Sequence, residues 1–203
     1  YKLYLYNHYF CFIIITYLKI IILYLQESMK LQYQNIIIRN ATIDDATILY
    51  HWWNEGRVKA HAGFYDGLKI SLDDVIEQLK TENDPKEKCR LIIEIDQQKI
   101  GKMIYFHRST KLAEIGIKIC ELTYQNKGYG KILLSMLISE LFKYNYKQIK
   151  ITTNINNKRA RHVYESLGAK LHQIEKDAYK DSRGQLQTAY DYRLNKDDFQ
   201  CFN

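Results

Sequence analysis

The chain predicts a single mixed α+β domain, and three observations carry that prediction. Short runs alternate apolar and polar residues between polar turns, as at Ile115, Ile117 and Ile119; period-two spacing of this kind marks half-buried strands. Other segments repeat apolar residues three and four apart, the signature of amphipathic helices. The run Gln125-Asn126-Lys127-Gly128-Tyr129-Gly130-Lys131 joins the two kinds, giving a strand, a glycine turn and a long helix. A length of 203 residues suits one domain with a substantial core. No internal repeat or low-complexity linker interrupts it after residue 29.

The first 28 residues have a different composition. Residues 4–25 are crowded with Tyr, Ile, Leu and Phe and broken by Lys19. The stretch is long enough to span a bilayer, which needs about 20 apolar residues. Position 1 is not Met, no small-residue cleavage site follows, and Met29 stands just before the first domain-like strand. Two readings stand: an upstream extension before a start at Met29, which is preferred, and a membrane anchor. The domain is expected over residues 29–203, with no membrane contact of its own.

The elements then follow in order. Ile36-Ile37-Ile38 reads as a strand. Thr42-x-x-Asp45 approximates a capping box, and Ala46, Leu49, Tyr50 and Trp53 continue at helical spacing. A loop is expected from Asn54 to Gly67. Ser71-x-x-Asp74 opens a second helix carrying Leu72, Val75, Ile76 and Leu79. Residues 90–95, 99–107 and 111–120 read as an antiparallel meander joined by polar turns. The helix after the glycine turn starts near Ile132. A strand over 148–153 and a helix over 157–167 follow, the helix ended by Gly168 at its C′ position. Residues 171–176 and 188–194 look like a closing hairpin.

Composition narrows the function. Thirty Lys and Arg against 23 Asp and Glu give a net charge of +7. The two signs are interleaved from residue 29 onward, so there is no basic stripe of the kind nucleic-acid binders carry, and no nucleic-acid partner is expected. Cys11, Cys89, Cys120 and Cys201 are far apart and lack metal-ligand spacing, which points to reduced thiols in the cytoplasm and to no metal.

The glycine turn carries the chemistry. The first amides of a helix lack internal partners, and the helix dipole adds partial positive charge there. Gly128 and Gly130 remove the Cβ atoms that would fend off a ligand, and Lys127 and Lys131 add charge. The result suits a phosphate or pyrophosphate; a plain helix entrance is the simpler alternative. A Walker loop is excluded, because Gln125 stands where its first glycine belongs and Ile132 follows Lys131. The dinucleotide fingerprint is excluded because Leu133 stands where its third glycine belongs.

The pattern that fits is Gln/Arg-x-x-Gly-x-Gly/Ala, and here the chain resembles the GNAT superfamily of acyl-CoA-dependent N-acetyltransferases. A second motif supports the resemblance: Asn154-x-Asn156-Asn157-x-x-Ala160-x-x-x-Tyr164-Glu165-x-Leu167-Gly168. The resemblance covers roughly residues 36–195. It implies a strongly bent, mostly antiparallel sheet flanked by helices, with acetyl-CoA as co-substrate. It implies a cofactor site formed by Ile117, Ile119, Gln125, Asn126, Lys127, Gly128, Tyr129, Gly130, Lys131, Asn154 and Asn157. The strand ending at Cys120 and the strand before Asn154 would splay, with the pantetheine arm in the gap. Tyr164 would meet the cofactor sulfur; from the residues alone it reads equally as a core aromatic.

Glu114, on the strand before the loop, matches a glutamate that several family members use as general base. A structural ion pair is the competing reading, and Glu121 and His107 are fallback bases. The need for a base is physical: an amine with a pKa near ~10.4 is protonated at neutral pH and cannot attack. Amides near Ile119 and Cys120 would face the developing oxyanion. Trp52, Trp53 and Glu55 are the candidate acceptor-binding residues. The acceptor is expected to be a small-molecule or protein amine, and the protein a monomer or homodimer. A non-catalytic acyl-CoA-binding module on the same fold is the rival.

Overall fold

The computed structural model describes residues 29–84 and 87–202. The apolar segment at residues 1–28 lies outside the described residues. The strands are β1 (Lys30–Tyr33), β2 (Ile36–Asn40), β3 (Asn83–Asp84), β4 (Lys88–Ile95), β5 (Gln98–Ser109), β6 (Leu112–Ile119), β7 (Gln148–Asn154), β8 (Lys170–Lys180) and β9 (Leu186–Asn195). The helices are α1 (Ala46–Asn54), α2 (Gly56–Lys59), α3 (Leu72–Thr81), α4 (Tyr129–Lys143) and α5 (Lys158–Ser166). The strands form one sheet in the order β1-β2-β4-β5-β6-β7-β9-β8, with β3 paired to β4.

Every pairing in this sheet is antiparallel except β6 with β7. That parallel pair exists because the chain leaves β6 through the glycine turn and returns along α4, the crossover a parallel pair requires. The β6–β7 ladder joins 112–115 to 148–151 and stops there. Beyond it, β6 stays paired to β5 as far as Ile119, and β7 stays paired to β9 as far as Asn154. Each strand therefore keeps a partner on its outer side while the sheet opens between them. This is the expected mostly antiparallel sheet flanked by helices.

Two apolar layers hold the sheet. On one face Leu91, Ile93, Ile115, Ile149 and Ile151 pack under α4 and α5, with Leu133, Leu134, Leu137, Ile138 and Leu141 supplied by α4. On the other face Ile92 and Cys120 pack under Leu49, Trp52 and Trp53 of α1, Val58 of α2, and Val75 and Leu79 of α3. Strand alternation sends neighbouring residues to opposite layers, so β6 divides Ile115 from Glu114 in the same way.

Local chemistry sets the helix starts. Ser71 caps α3: its hydroxyl accepts from the Asp74 amide at 3.1 Å, and the Asp74 carboxylate accepts from the Ser71 amide at 3.2 Å. A reciprocal cap of this kind is worth ~1 kcal/mol. Asp45 does more than cap. It is fully buried, accepts from the Thr42 amide at 2.8 Å, and pairs with Arg39 at 2.7 Å and Lys99 at 2.6 Å. Burial alone would raise its pKa, yet the Arg39 and Lys99 partners and the Thr42 amide hold it well below the usual carboxylate range.

Three local expectations change. A 3-10 turn over Ile43–Asp45 precedes α1, which delays its start. The expected loop after Asn54 contains α2 and a 3-10 turn, Ala60–Ala62. The closing hairpin is longer than expected, and its tip reaches the α2 region: the Ser182 amide donates to Gly63 O at 2.7 Å, and the Arg183 guanidinium lies 4.1 Å from the Tyr65 ring centroid. No helix among the described residues is long and apolar enough to cross a membrane.

Candidate active site

The glycine turn leaves β6 at Ile119. The Gln125 side chain donates to Ile119 O at 2.9 Å, so this residue anchors the loop to the strand it has just left. Asn126 and Gly128 then take positive φ, 61° and 82°. Gly128 is the N-cap of α4, and Lys131 N donates to Gly128 O at 3.2 Å. The amides of residues 126–130 find no acceptor among the described residues. A row of free amides at the positive end of a long helix is an anion site. A Cβ added to Gly128 or Gly130 would meet nothing within 4 Å, so the space over the amides is open. Lys127 is exposed, its ammonium 5.9 Å from the Tyr124 ring centroid, and the Lys131 ammonium stands 5.4 Å from that of Phe202.

These amides border a cavity of about 520 Å³. Its other walls are Ile117 and Ile119 at the end of β6, Asn157 at the N-cap of α5, and Ala160, Val163 and Tyr164 on α5. The cavity therefore sits where β6 and β7 part. Asn157 caps α5 by accepting from the Ala160 amide at 3.2 Å, and its amide nitrogen donates to Thr153 Oγ1 at 3.2 Å. Asn154 faces elsewhere: its Nδ2 donates to Tyr179 Oη and Gln187 Oε1, both at 3.0 Å, and it does not line the cavity.

Tyr164 is 5 % exposed and packs edge-on to Tyr192, with ring centroids 5.8 Å apart. Burial pushes its hydroxyl up to about 12, with Thr153 opposing. At neutral pH it is a phenol, able to donate a proton to a neighbouring anion. Arg159 was not anticipated. Its Nη1 donates to Asn126 Oδ1 and ties α5 to the loop. No spacing signal marks such a clasp, because the two residues lie on elements brought together only by the sheet.

On the opposite face, Glu114 sits in the paired part of β6, across from Phe106 and Lys150. Its carboxylate accepts from Arg108 Nε at 2.8 Å. His107 Nδ1 lies 2.8 Å from Tyr146 Oη, and Glu121 accepts from Trp52 Nε1 at 2.8 Å. Each candidate base thus has a partner within the protein. Trp52 and Trp53 are both buried, at 4 % and 3 % exposure. Glu55 pairs with Arg57 at 3.1 Å on the surface and caps α2. The Cys120 amide donates to Ile100 O at 2.8 Å, so it is not free for an oxyanion. Burial pushes the Cys120 thiol up to about 12, which makes it a packing group and not a nucleophile. No cluster of three metal-ligating side chains occurs among the described residues.

Comparison with known proteins agrees with this geometry. Residues 35–170 match the family described as the acetyltransferase (GNAT) domain. Among solved structures, the fold is similar to that of spermidine N-acetyltransferase from Vibrio cholerae in complex with CoA and spermine. The TM-score is 0.73 at 18 % identity, over 82 % of this chain and 98 % of that one. It is also similar to RimL, a ribosomal L7/L12 α-N-protein acetyltransferase, with TM-score 0.70 at 12 % identity over 83 % and 94 % of the two chains. A third similar structure is the microcin C7 self-immunity acetyltransferase MccE in complex with acetyl-CoA and AMP, with TM-score 0.70 at 17 % identity over 80 % and 93 %. No curated protein matches the sequence. The family match spans most of the described residues, including the glycine turn, the strand parting and the whole of the second motif, so the chain belongs to the GNAT acetyltransferase family.

Proposed function

We propose that this chain transfers an acetyl group from acetyl-CoA to a primary amine by direct attack of the amine on the thioester. One observation carries the reading: a single cavity is lined both by the loop whose amides at 126–130 are free and by Tyr164. Acetyl-CoA fits what is present. Its pyrophosphate suits the amide row and the open space at Gly130, and its pantetheine arm suits the gap between β6 and β7. The cavity volume lies in the range of ligand pockets. The bound co-substrate supplies the activated acetyl group.

The residues divide the remaining work. Lys131 and the α4 amides hold negative charge, and Asn157 and Arg159 brace the facing helix against the loop. Tyr164 donates to the departing sulfur. Glu114 takes the amine proton through water, since Arg108 already occupies one of its oxygens. Of the similar structures named above, one is a spermidine N-acetyltransferase bound to spermine and another a ribosomal-protein N-acetyltransferase, so the fold serves both small-molecule and protein acceptors. The protein works in the cytoplasm as a monomer or homodimer.

The test is a screen of amines with acetyl-CoA, read as free thiol release. Turnover with at least one amine is expected. Tight coenzyme A binding without turnover on any amine would replace this reading by a non-catalytic acyl-CoA-binding module.

A further inference from the structure

Positive charge collects around Trp53, on the sheet face away from the α4–α5 layer, with little negative charge to answer it. Arg90 is 6 % exposed; its Nε and Nη2 hold Glu82, and its Nη1 has no acceptor among the described residues. The buried Nε1 of Trp53 also has none. The Arg90 guanidinium lies 4.6 Å from the Trp53 ring centroid and the Lys102 ammonium 5.1 Å. Lys118 stands opposite Lys102 across the β5–β6 ladder, and Lys59, at the end of α2, is close enough for its charge to act on Lys102 and to feel those of Arg90 and Lys118.

The nearby acids are already engaged. Glu82 holds Arg90 and Lys88, and Glu121 accepts from Trp52. Cys120 stays a neutral thiol. Burial, with repulsion from Arg90, lowers Lys59 to about 8 and Lys102 well below its usual value. The ring contacts with Trp53 use the face of the indole and leave the N–H donors unfilled. Buried donors without acceptors and buried charges without counter-charges are both unfavourable. An incoming oxyanion would relieve both at once. A polyamine would add like charge to the same place.

The location gives this anion site a use. Lys118 also borders the coenzyme cavity, so the cluster lies directly behind the end of β6. We propose that Arg90, Trp53 Nε1 and Lys102, flanked by Lys59 and Lys118, bind a carboxylate or phosphate carried by the acetyl acceptor. The word acceptor rests on the N-acetyltransferase reading above; the anion site does not.

Two measurements separate these claims. In the first, thiol release is compared for an α-amino acid against its amide, for phosphoethanolamine against ethanolamine, and for spermidine. The anionic member of one pair should have kcat/KM at least tenfold higher, and which pair it is distinguishes carboxylate from phosphate. Lys102→Met should bring that ratio toward one, and Lys59→Gln, at a less crowded position, should do so in part. The amide, ethanolamine or spermidine turned over as well as the amines that carry an anionic group would overturn the proposal. In the second, succinate and inorganic phosphate are titrated calorimetrically into the protein without acetyl donor. Binding by wild type, weakened at least fivefold in Lys102→Met or Lys59→Gln, is expected. If no amine is turned over, this second result decides: anion binding lost in the variants upholds the site while the transfer reading fails, and no binding by wild type overturns the site.

Discussion

Gly130→Val tests the amide row while leaving the protein intact. Gly130 lies within the first turn of α4 at ordinary helical φ, and a Cβ there meets nothing within 4 Å. The fold has no reason to resist the isopropyl group. Valine is also a slightly better helix former than glycine, by a few tenths of a kcal/mol. The melting temperature should therefore stay the same or rise slightly. Coenzyme binding is another matter, because the side chain projects into the space the pyrophosphate needs. Charge-assisted hydrogen bonds contribute ~1.5–3 kcal/mol each, so losing two costs at least ~3 kcal/mol. At ~1.4 kcal/mol per factor of ten, Kd for acetyl-CoA should weaken about 100-fold or more. Calorimetric titration beside a thermal melt reads both quantities. A Kd within threefold of wild type, with an unchanged melt, would refute the reasoning and reduce the loop to a helix entrance. Gly128→Val is the poorer probe: its φ of 82° makes any branched residue strained, so stability and binding would fall together.

Three further outcomes are expected. Tyr164→Phe should lower kcat by roughly 10- to 1,000-fold with little change in KM for acetyl-CoA; steady-state kinetics within a factor of two of wild type would make Tyr164 a packing residue only. Glu114→Gln should depress kcat/KM and remove the acidic limb of its pH profile, at small stability cost because its Arg108 partner is half exposed; a profile of unchanged shape would exonerate Glu114. Asp45→Asn should destabilise the fold by roughly 2–4 kcal/mol in urea melts at pH 6, since it leaves Arg39 and Lys99 without their shared anion. The pH dependence has a definite sign: the native pKa of Asp45 lies below its unfolded value, so its contribution is full above about pH 4 and is lost as pH falls further. The variant should accordingly show a flatter loss of stability in acid, and an equally steep one would place the acid limb elsewhere.

What was legible beforehand follows the range of the interactions. The capping box at Ser71, the left-handed terminator Gly168, and the strand, glycine turn and helix around Gly128 depend on residues a few positions apart and stand where the spacing put them, except that α4 starts at Tyr129, a turn earlier than the first apolar residue Ile132 suggested. Strand β1 was missed because Lys30-Leu31-Gln32-Tyr33 is a mostly exposed edge segment and shows no buried alternation. Helix α2 was missed because one short turn carries too few apolar positions to reveal a period.

The sequence by itself determined the order of the longer helices and strands, the glycine turn between β6 and α4, and the inward face of β6. Those are consequences of backbone sterics and local period, and they hold whatever the rest of the chain does. Only the tertiary structure decided where β6 and β7 part, because that depends on β5 and β9 holding their outer sides. It decided that Gln125 turns back to Ile119 while Asn157 and Tyr164 line the cavity. It also decided that Lys59, Arg90, Lys102 and Trp53, from α1, α2 and two strands, crowd into one place. In sequence those cations are scattered among acids and read as solvated surface; the sheet brings the cations together and leaves most of the acids outside.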